Sequence, residues 1–165
     1  MINIFIDMDE VVADFTGYAT RVLKREADAD KFNREEWGKL RQHPRLYRDL
    51  EVREGGYELV EWITTYAKRD TNIFVAFLTA VPKKNTMYWA FQDKVHWANK
   101  HFPNIPVFFG PYTADKHTHC NGPEDILIDD RLSNYNDWTA AGGRAYQYKT
   151  WSACKIWLEQ TLGPL

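Results

Sequence analysis

An apolar run at the amino terminus that ends in two carboxylates restricts the possible folds of this chain more than any other feature. Residues 2–6 are mostly apolar and predict a buried strand, and Asp7 and Asp9 follow it. Side chains alternate along an extended backbone, so both carboxylates should point the same way. In α/β proteins, ligands bind at the carboxyl ends of the strands. A ligand site is therefore one interpretation, and a solvated turn that caps a helix is the other.

Apolar runs of similar length recur along the chain and alternate with helical patterns. Further strands are predicted at residues 73–78, 106–109, 125–128 and 144–148. Helices are predicted around residues 11–26, 84–100 and 152–162 and from after the glycines at 55–56 to about 68, with a short helix before Gly142 and a polar loop at 112–124. Strands that alternate with helices are typical of a parallel sheet covered on both faces. We therefore expect an α/β fold with a Rossmann-like parallel sheet.

Residues 27–54 interrupt this alternation, because they are rich in charge and contain Pro44. A helix is predicted there over residues 33–42, with Asn33 as its N-cap and Glu36 three residues later. We interpret the region as a small helical cap inserted after the first strand and helix. The chain is then a single domain with its core at about 1–16 and 70–165 and the cap at about 17–69.

The composition is that of a globular protein, with 165 residues of which 44% are hydrophobic and 27% charged. The formal net charge is -2 and no basic tract is sustained, so long nucleic acid is not an expected partner. No apolar run approaches the length of a membrane span, and no signal-peptide pattern is present. Together with only two cysteines, Cys120 and Cys154, these features favour a cytoplasmic location. The oligomeric state stays open, and a homodimer is one option.

Polar residues follow the predicted strands at positions suited to phosphate and metal chemistry. Thr79 ends the second strand, Asp129 and Asp130 end the fourth, and Lys116 lies in the loop before it. If the strands are parallel, these groups meet the first two carboxylates at one edge of the sheet. Clustered carboxylates repel one another unless a cation is bound, and Mg²⁺ prefers carboxylate, water and phosphate oxygens. A nearby lysine and hydroxyl suit a phosphoryl group. The grouping predicts phosphoryl chemistry.

These residues lie in motifs that resemble those of the haloacid dehalogenase (HAD) superfamily. The four motifs are DMDEVVAD at 7–14, LTA at 78–80, Lys116, and IDDR at 128–131. Three segments resemble one family within the superfamily, the 5′(3′)-deoxyribonucleotidases: VADF at 12–15, LYRDL at 46–50 and ILIDDR at 126–131. The resemblance covers nearly the whole chain in order. It implies a Mg²⁺-dependent phosphate monoester hydrolase whose partner is a small phosphorylated substrate, a (deoxy)nucleoside monophosphate.

The resemblance implies a role for each acidic motif residue. Asp7 would be the nucleophile that forms an aspartyl-phosphate. Asp9 would be the general acid for the leaving alkoxide and then the base that activates water. Asp7, the backbone carbonyl of Asp9, and Asp129 would hold Mg²⁺, and Asp130 would support the metal.

The resemblance further implies that Thr79, Ala80 and Lys116 bind the phosphate. The lysines at 83–84 are rivals for this contact. At position 80, deoxyribonucleotidases often have a second hydroxyl residue, so Ala80 removes one possible side-chain contact. Glu10 is a second departure, because many relatives have Gly there.

Aromatic residues near the first motif and in the insertion are candidates for a substrate pocket. Phe15, Trp37 and Tyr47 could stack on a base, since every nucleobase offers a π-face. Alternatively, the aromatics of the insertion, Phe32 among them, could form its small core.

Three other functions stay open at this point. The chain could act on another small phosphorylated metabolite or on a nucleic-acid 3′-phosphate end, or it could bind a ligand without turnover. A zinc site is not expected, because HTHC at 117–120 has no matching second pair of ligands.

Overall fold

Five parallel strands form the centre of the computed structural model, which describes residues 1–25 and 32–165. The strands are β1 Ile2–Ile6, β2 Ile73–Thr79, β3 Val107–Phe109, β4 Ile126–Asp129 and β5 Arg144–Gln147. Their order in the sheet is β3-β2-β1-β4-β5, and every pairing is parallel. The predicted α/β class with a Rossmann-like parallel sheet is confirmed. All five carboxyl ends therefore lie at the same edge.

Alternate residues of the central strands enter two separate apolar layers, one on each face of the sheet. Ile4 and Ile6 lie in the larger layer, whereas Phe5 between them lies in the smaller one. The smaller layer includes Trp138 of α5 (Leu132–Ala140). The larger layer receives side chains from the remaining helices: α1 (Phe15–Leu23), α2 (Arg34–Leu40), α3 (Gly56–Ala67), α4 (Ala90–His101) and α6 (Trp151–Leu162). Helices thus cover both faces, as predicted.

Helix α1 begins at Phe15, so the predicted start at residue 11 is wrong. Glu10 has a φ of 63°, a left-handed conformation that a right-handed helix cannot include. The helix starts after Asp14 instead, whose carboxylate accepts the backbone N–H of Gly17 at 2.9 Å. Residue 26, at the predicted end, lies outside the described residues. The N-cap explains Asp14 without a catalytic role.

Helix α4 begins at Ala90 and not at the predicted residue 84. Residues Lys83–Asn85 form a short 3₁₀ turn in which Lys84 has a φ of 60°. The loop predicted at 112–124 likewise contains a 3₁₀ helix over Thr113–His119. By contrast, the predicted capping box of α2 is confirmed: Asn33 and Glu36 exchange side-chain hydrogen bonds with each other's backbone N–H.

The extent of the inserted cap stays a prediction. Helix α1 contacts α2, as a helical insertion requires, whereas α3 contacts β2 and α6. The packing of α3 on the sheet favours an insertion that ends before Gly56 and not at residue 69. Within residues 1–25 and 32–165, every helix is too short or too polar to cross a membrane.

Gly55, the N-cap of α3, gives a test of this packing. Its φ is 79°, and an added Cβ would lie 2.5 Å from Cβ of Trp151 on α6. Gly55→Ala should therefore lower the free energy of unfolding by about 1–3 kcal/mol, through backbone strain and overpacking. Urea denaturation measures the change. Gly38→Ala is the control, because nothing lies within 4 Å of its added Cβ and α2 would gain helix propensity. Equal effects of the two variants would contradict this account.

Candidate active site

Three carboxylates meet where β1 and β4, neighbours in the sheet, end. Oxygens of Asp7, Asp129 and Asp130 all lie within 4.8 Å of one another. The pairing continues past β1, because the N–H of Asp7 donates to the carbonyl of Ile128 at 2.9 Å. Such a set of carboxylate oxygens fits a hard divalent cation. A carboxylate oxygen of Asp130 lies as close to the cluster as those of the other two residues. The resemblance noted in the sequence implies only a supporting role for Asp130.

Lys116 compensates part of this negative charge. Its ammonium lies 2.6 Å from Oδ1 of Asp7 and 2.7 Å from Oδ2 of Asp129, and its side chain is almost fully buried. Asp129 also accepts the side-chain amide of Asn134 at 2.8 Å and the backbone N–H of Arg131 at 2.9 Å. One ammonium faces three carboxylates, so the cluster keeps a formal charge of about −2 when all are ionised. That charge matches a divalent cation.

The pKa values reflect this crowding. Burial, opposed by Lys116 and assisted by the neighbouring carboxylates, raises the pKa of Asp7 to about 6. Burial and the charges of Asp7 and Asp129 raise the pKa of Asp130 to about 8. Burial by itself lowers the pKa of Lys116, but the two carboxylates it contacts outweigh burial and the pKa is raised. Lys116 is therefore a permanent cation, and Asp7 and Asp130 are the groups whose raised pKa values make them titrate near neutral pH.

A second lysine, Lys94 of α4, organises the other half of the site. Its ammonium donates to Oδ2 of Asp9 at 2.6 Å and to Oγ1 of Thr79 at 2.8 Å. Thr79 is fully buried at the end of β2. The two lysines divide the site: Lys116 lies on the carboxylate cluster, and Lys94 joins Asp9 to Thr79.

A pocket of about 420 Å³ opens beside these groups. The predicted site residues that line it are Asp7, Asp9, Phe15, Trp37, Tyr47, Ala80, Lys116 and Asp130. Thr79 and Asp129 lie behind the wall, with 0% and 1% of their surface exposed. Lys83, the rival to Lys116, also lines the pocket but stands outside the carboxylate cluster. The roles of all these predicted site residues in binding and catalysis stay predictions.

Aromatic side chains form one wall of the pocket. Phe15 stacks on Trp37 at 5.9 Å and on Tyr47 at 5.7 Å, with interplanar angles of 26° and 20°. Phe32 packs edge-on against Phe15 and Trp37. Phe15, Trp37 and Tyr47 therefore belong to one packed aromatic cluster and also line the pocket, so the two alternatives left open by the sequence are compatible.

Glu10 faces the cation of Arg53 and not the carboxylate cluster. Its carboxylate forms an ion pair with Arg53 and accepts the backbone N–H of Thr16 at 2.6 Å. The backbone N–H of Arg53 donates to the carbonyl of Val12 at 2.8 Å. Glu10 thus connects the turn after β1 to the segment that leads into α3.

Lys94 and Asn134 are site residues that the sequence reasoning missed. Lys94 could have been found, because it lies in the buried stripe of α4 formed by Ala90, Trp97 and Ala98. A lysine in an apolar stripe is unusual and calls for a buried partner. For Asn134, on α5, the sequence offers no comparable signal.

The sequence HTHC at 117–120 forms no metal centre within the described residues, where the carboxylate trio is the group found. Nε2 of His119 lies 3.1 Å from the carbonyl of Phe109, and Sγ of Cys120 lies near the carbonyl of Gly122. These contacts give both side chains a structural role.

Comparison with known proteins decides the family. The family model of the 5′ nucleotidase, deoxy (Pyrimidine), cytosolic type C protein matches residues 1–149. The chain belongs to this nucleotidase family. It is accordingly an enzyme of the phosphatase/nucleotidase class, and the resemblance noted in the sequence is confirmed. No curated protein matches the chain.

Solved structures similar to this nucleotidase-family chain include proteins named as hydrolases and as HAD-family enzymes. A hydrolase from Streptococcus pneumoniae has a TM-score of 0.55 at 13% identity, with 95% of this chain and 97% of that chain covered. An Asp-to-Ala mutant of a HAD-family enzyme from Bacteroides thetaiotaomicron, in complex with magnesium and inorganic phosphate, has a TM-score of 0.53 at 12% identity and covers 93% and 98%. A HAD-superfamily hydrolase from Ehrlichia chaffeensis has a TM-score of 0.51 at 14% identity and covers 96% of each chain. These similarities establish the HAD-like fold.

The raised carboxylate pKa values predict how stability depends on pH. Both folded-state pKa values lie above the unfolded value of 3.8. At a pH between the unfolded and folded values the folded protein therefore binds more protons than the unfolded chain, and its stability falls as the pH rises through that range. The Tm of the metal-free protein should fall between pH 4 and 6 as Asp7 ionises, and it should fall further towards pH 8 as Asp130 ionises. Differential scanning fluorimetry in EDTA measures this fall.

Asp130→Asn should remove most of the fall in Tm above pH 6, because the amide cannot ionise. Glu61→Gln, on the exposed face of α3, is the control and should leave the slope unchanged. A Tm that rises from pH 6 to pH 8 in the wild-type protein without metal would contradict the assignment.

Proposed function

We propose that this protein is a Mg²⁺-dependent nucleotidase that hydrolyses (deoxy)nucleoside monophosphates through an aspartyl-phosphate intermediate. The observation that carries the proposal is the carboxylate trio with Lys116 at the foot of a pocket walled by stacked aromatic rings. Membership of the nucleotidase family supports it. The trio suits a metal and a phosphoryl group, and the rings suit a flat nucleobase.

Asp7, Asp129 and Asp130 would hold Mg²⁺, since their oxygens already lie within 4.8 Å of one another. When bound, the cation would neutralise charge on the phosphoryl oxygens and on the cluster. The observed burial of unbalanced negative charge fits a cation at this position. Asp130 is thus proposed as a direct ligand and not only as a support.

Each residue of the chain has a defined chemical task in this proposal. A carboxylate oxygen of Asp7 attacks phosphorus, and the bond from phosphorus to the ester oxygen breaks. Asp9 gives its proton to that oxygen, so the nucleoside leaves as an alcohol. Asp9 then takes a proton from water, which attacks the aspartyl-phosphate and releases inorganic phosphate. Lys116 and Thr79 would stabilise the negative charge of the phosphoryl group, with Ala80 lining its site.

A substrate panel with and without Mg²⁺ tests the proposed activity. It includes deoxynucleoside and ribonucleoside 5′- and 3′-monophosphates, sugar phosphates and 3′-phosphorylated oligonucleotides. We expect Mg²⁺-dependent release of phosphate, with the highest kcat/KM for a mononucleotide. Preference for a sugar phosphate or an oligonucleotide end would overturn the substrate class. No release from any ester by folded protein with Mg²⁺ would overturn the activity.

Asp7→Asn tests the nucleophile. Turnover should fall by at least about 10⁴-fold, because an amide oxygen cannot form the phosphoenzyme. The fold should survive, since the variant removes a carboxylate whose ionisation is costly in the folded state. Phosphate release and Tm are measured together. Asp70→Asn, on the exposed surface before β2, should change neither. Full activity of Asp7→Asn would refute the nucleophile assignment.

Trp37→Ala tests the aromatic wall. Stacking on an aromatic side chain contributes about 1–3 kcal/mol per base, so KM for a nucleotide should rise by about 10-fold or more. The KM for glycerol phosphate, which has no base, should change little. Tyr88→Ala is the control, because Tyr88 is an exposed aromatic outside the pocket. A similar rise in KM for both substrates would show that the wall does not recognise the base.

A further inference from the structure

We propose that Lys94 is a positioning residue for Asp9: it holds one carboxylate oxygen so that the other, Oδ1, is presented for proton transfer at the ester oxygen. The inference rests on the proposed function, in which Asp9 moves that proton. Lys94 lies outside every motif discussed for the sequence.

Lys94 is held on three sides by groups of the site. Its ammonium donates to Asp9 at 2.6 Å and to Thr79 at 2.8 Å, and it lies 4.8 Å from the ring centre of Tyr47. Only 1% of its surface is exposed. A long lysine side chain is normally mobile and solvated, so its complete burial has a large desolvation cost. The two acceptors and the aromatic face compensate for this cost and fix the ammonium in one place.

Asp9 is asymmetric as a result. Oδ2 accepts the bond from Lys94, whereas Oδ1 is buried and has no hydrogen-bond partner among the described residues. Asp9 nevertheless lines the pocket. A buried carboxylate oxygen without a donor is unfavourable unless a ligand supplies one. The hydroxyl of the departing alcohol, or the attacking water, is the donor that this oxygen lacks.

The geometry argues against Lys94 as a phosphate ligand. Two of its three donors are already used by Asp9 and Thr79. The cation beside the carboxylate trio is Lys116, which contacts Asp7 and Asp129. Lys94 therefore acts on the chemistry through Asp9.

The structural alternative is that Lys94 only fastens α4 to β1 and β2. That role would weaken every reaction of the site equally. A positioning role makes a sharper prediction, because proton donation matters for an alkoxide leaving group and matters little for a stable phenolate.

Lys94→Met is therefore compared on two substrates, with the full chain and saturating Mg²⁺. For a deoxynucleoside 5′-monophosphate, whose ester oxygen must be protonated, kcat/KM should fall by about 10²-fold or more. This ratio reports formation of the phosphoenzyme and not the later attack of water, which both substrates share. For p-nitrophenyl phosphate, the fall should be less than about 10-fold. Lys100→Met, an exposed lysine on the same helix, is the control and should leave both reactions unchanged.

A second variant and a cycle with Asp9 keep the test decisive. Lys94→Gln is uncharged and shorter than the wild type but retains a polar amide, so it gives the same comparison if Lys94→Met fails to fold, as judged by Tm. Asp9→Asn should show the same selective loss. In the Asp9→Asn background, Lys94→Met should cost less than about 3-fold further, because the group it positions is already absent.

The outcomes separate this inference from the proposed function. A wild-type protein that hydrolyses neither ester contradicts the proposed function and this inference with it. An active wild type whose Lys94 variants lose both reactions equally, or lose activity independently of Asp9, overturns the positioning role alone. The positioning role is established if Lys94→Met lowers activity mainly on the nucleotide and if this loss is absent in the Asp9→Asn background.

Discussion

Burial of like charges at the end of β1 and β4 is the constraint on which the rest of the site depends. Parallel pairing of the two strands places Asp7, Asp129 and Asp130 next to one another at the carboxyl ends of the strands. The surrounding donors are all directed at this charge: the ammonium of Lys116, the amide of Asn134 and the N–H of Arg131. Even so, the pKa of Asp7 and that of Asp130 are raised. The fold therefore keeps a centre that a cation or added protons would stabilise.

Helix α4 connects the segment before α3 to this centre. Asp93 forms an ion pair at 2.9 Å with Arg48, which precedes α3, while the next residue, Lys94, contacts Asp9 and lies against Tyr47. Buried polar pairs are sensitive to small displacements, because a lost partner leaves a desolvated group. One turn of α4 thus contacts both Tyr47 of the aromatic wall and Asp9, the predicted general acid and base.

The sequence predicted the features that depend on local pattern, and it missed those that depend on distant contacts. Strand ends and their carboxylates follow from alternation and from parallel topology, so Asp7 and Asp129 could be placed in advance. The partner of Lys94, by contrast, lies 85 positions away in the chain. The start of α4 was placed six residues too early, because periodicity gives no warning of the left-handed φ at Lys84. Side-chain pairing across the fold was the information that the pattern lacked.

Glu10 shows how one departure from a family pattern can be absorbed by its neighbours. Its φ of 63° is a conformation that Gly adopts without steric cost, so a glycine would fit this position more easily than Glu10 does. Here the strain of a larger residue is offset by two bonds of its carboxylate, to Arg53 and to the N–H of Thr16. The two bonds tie the turn after β1 to the start of α1 and to the segment before α3, and Ala13 also pairs with Val52. The added charge is paired with Arg53, so it joins these segments without adding a fourth carboxylate to the trio.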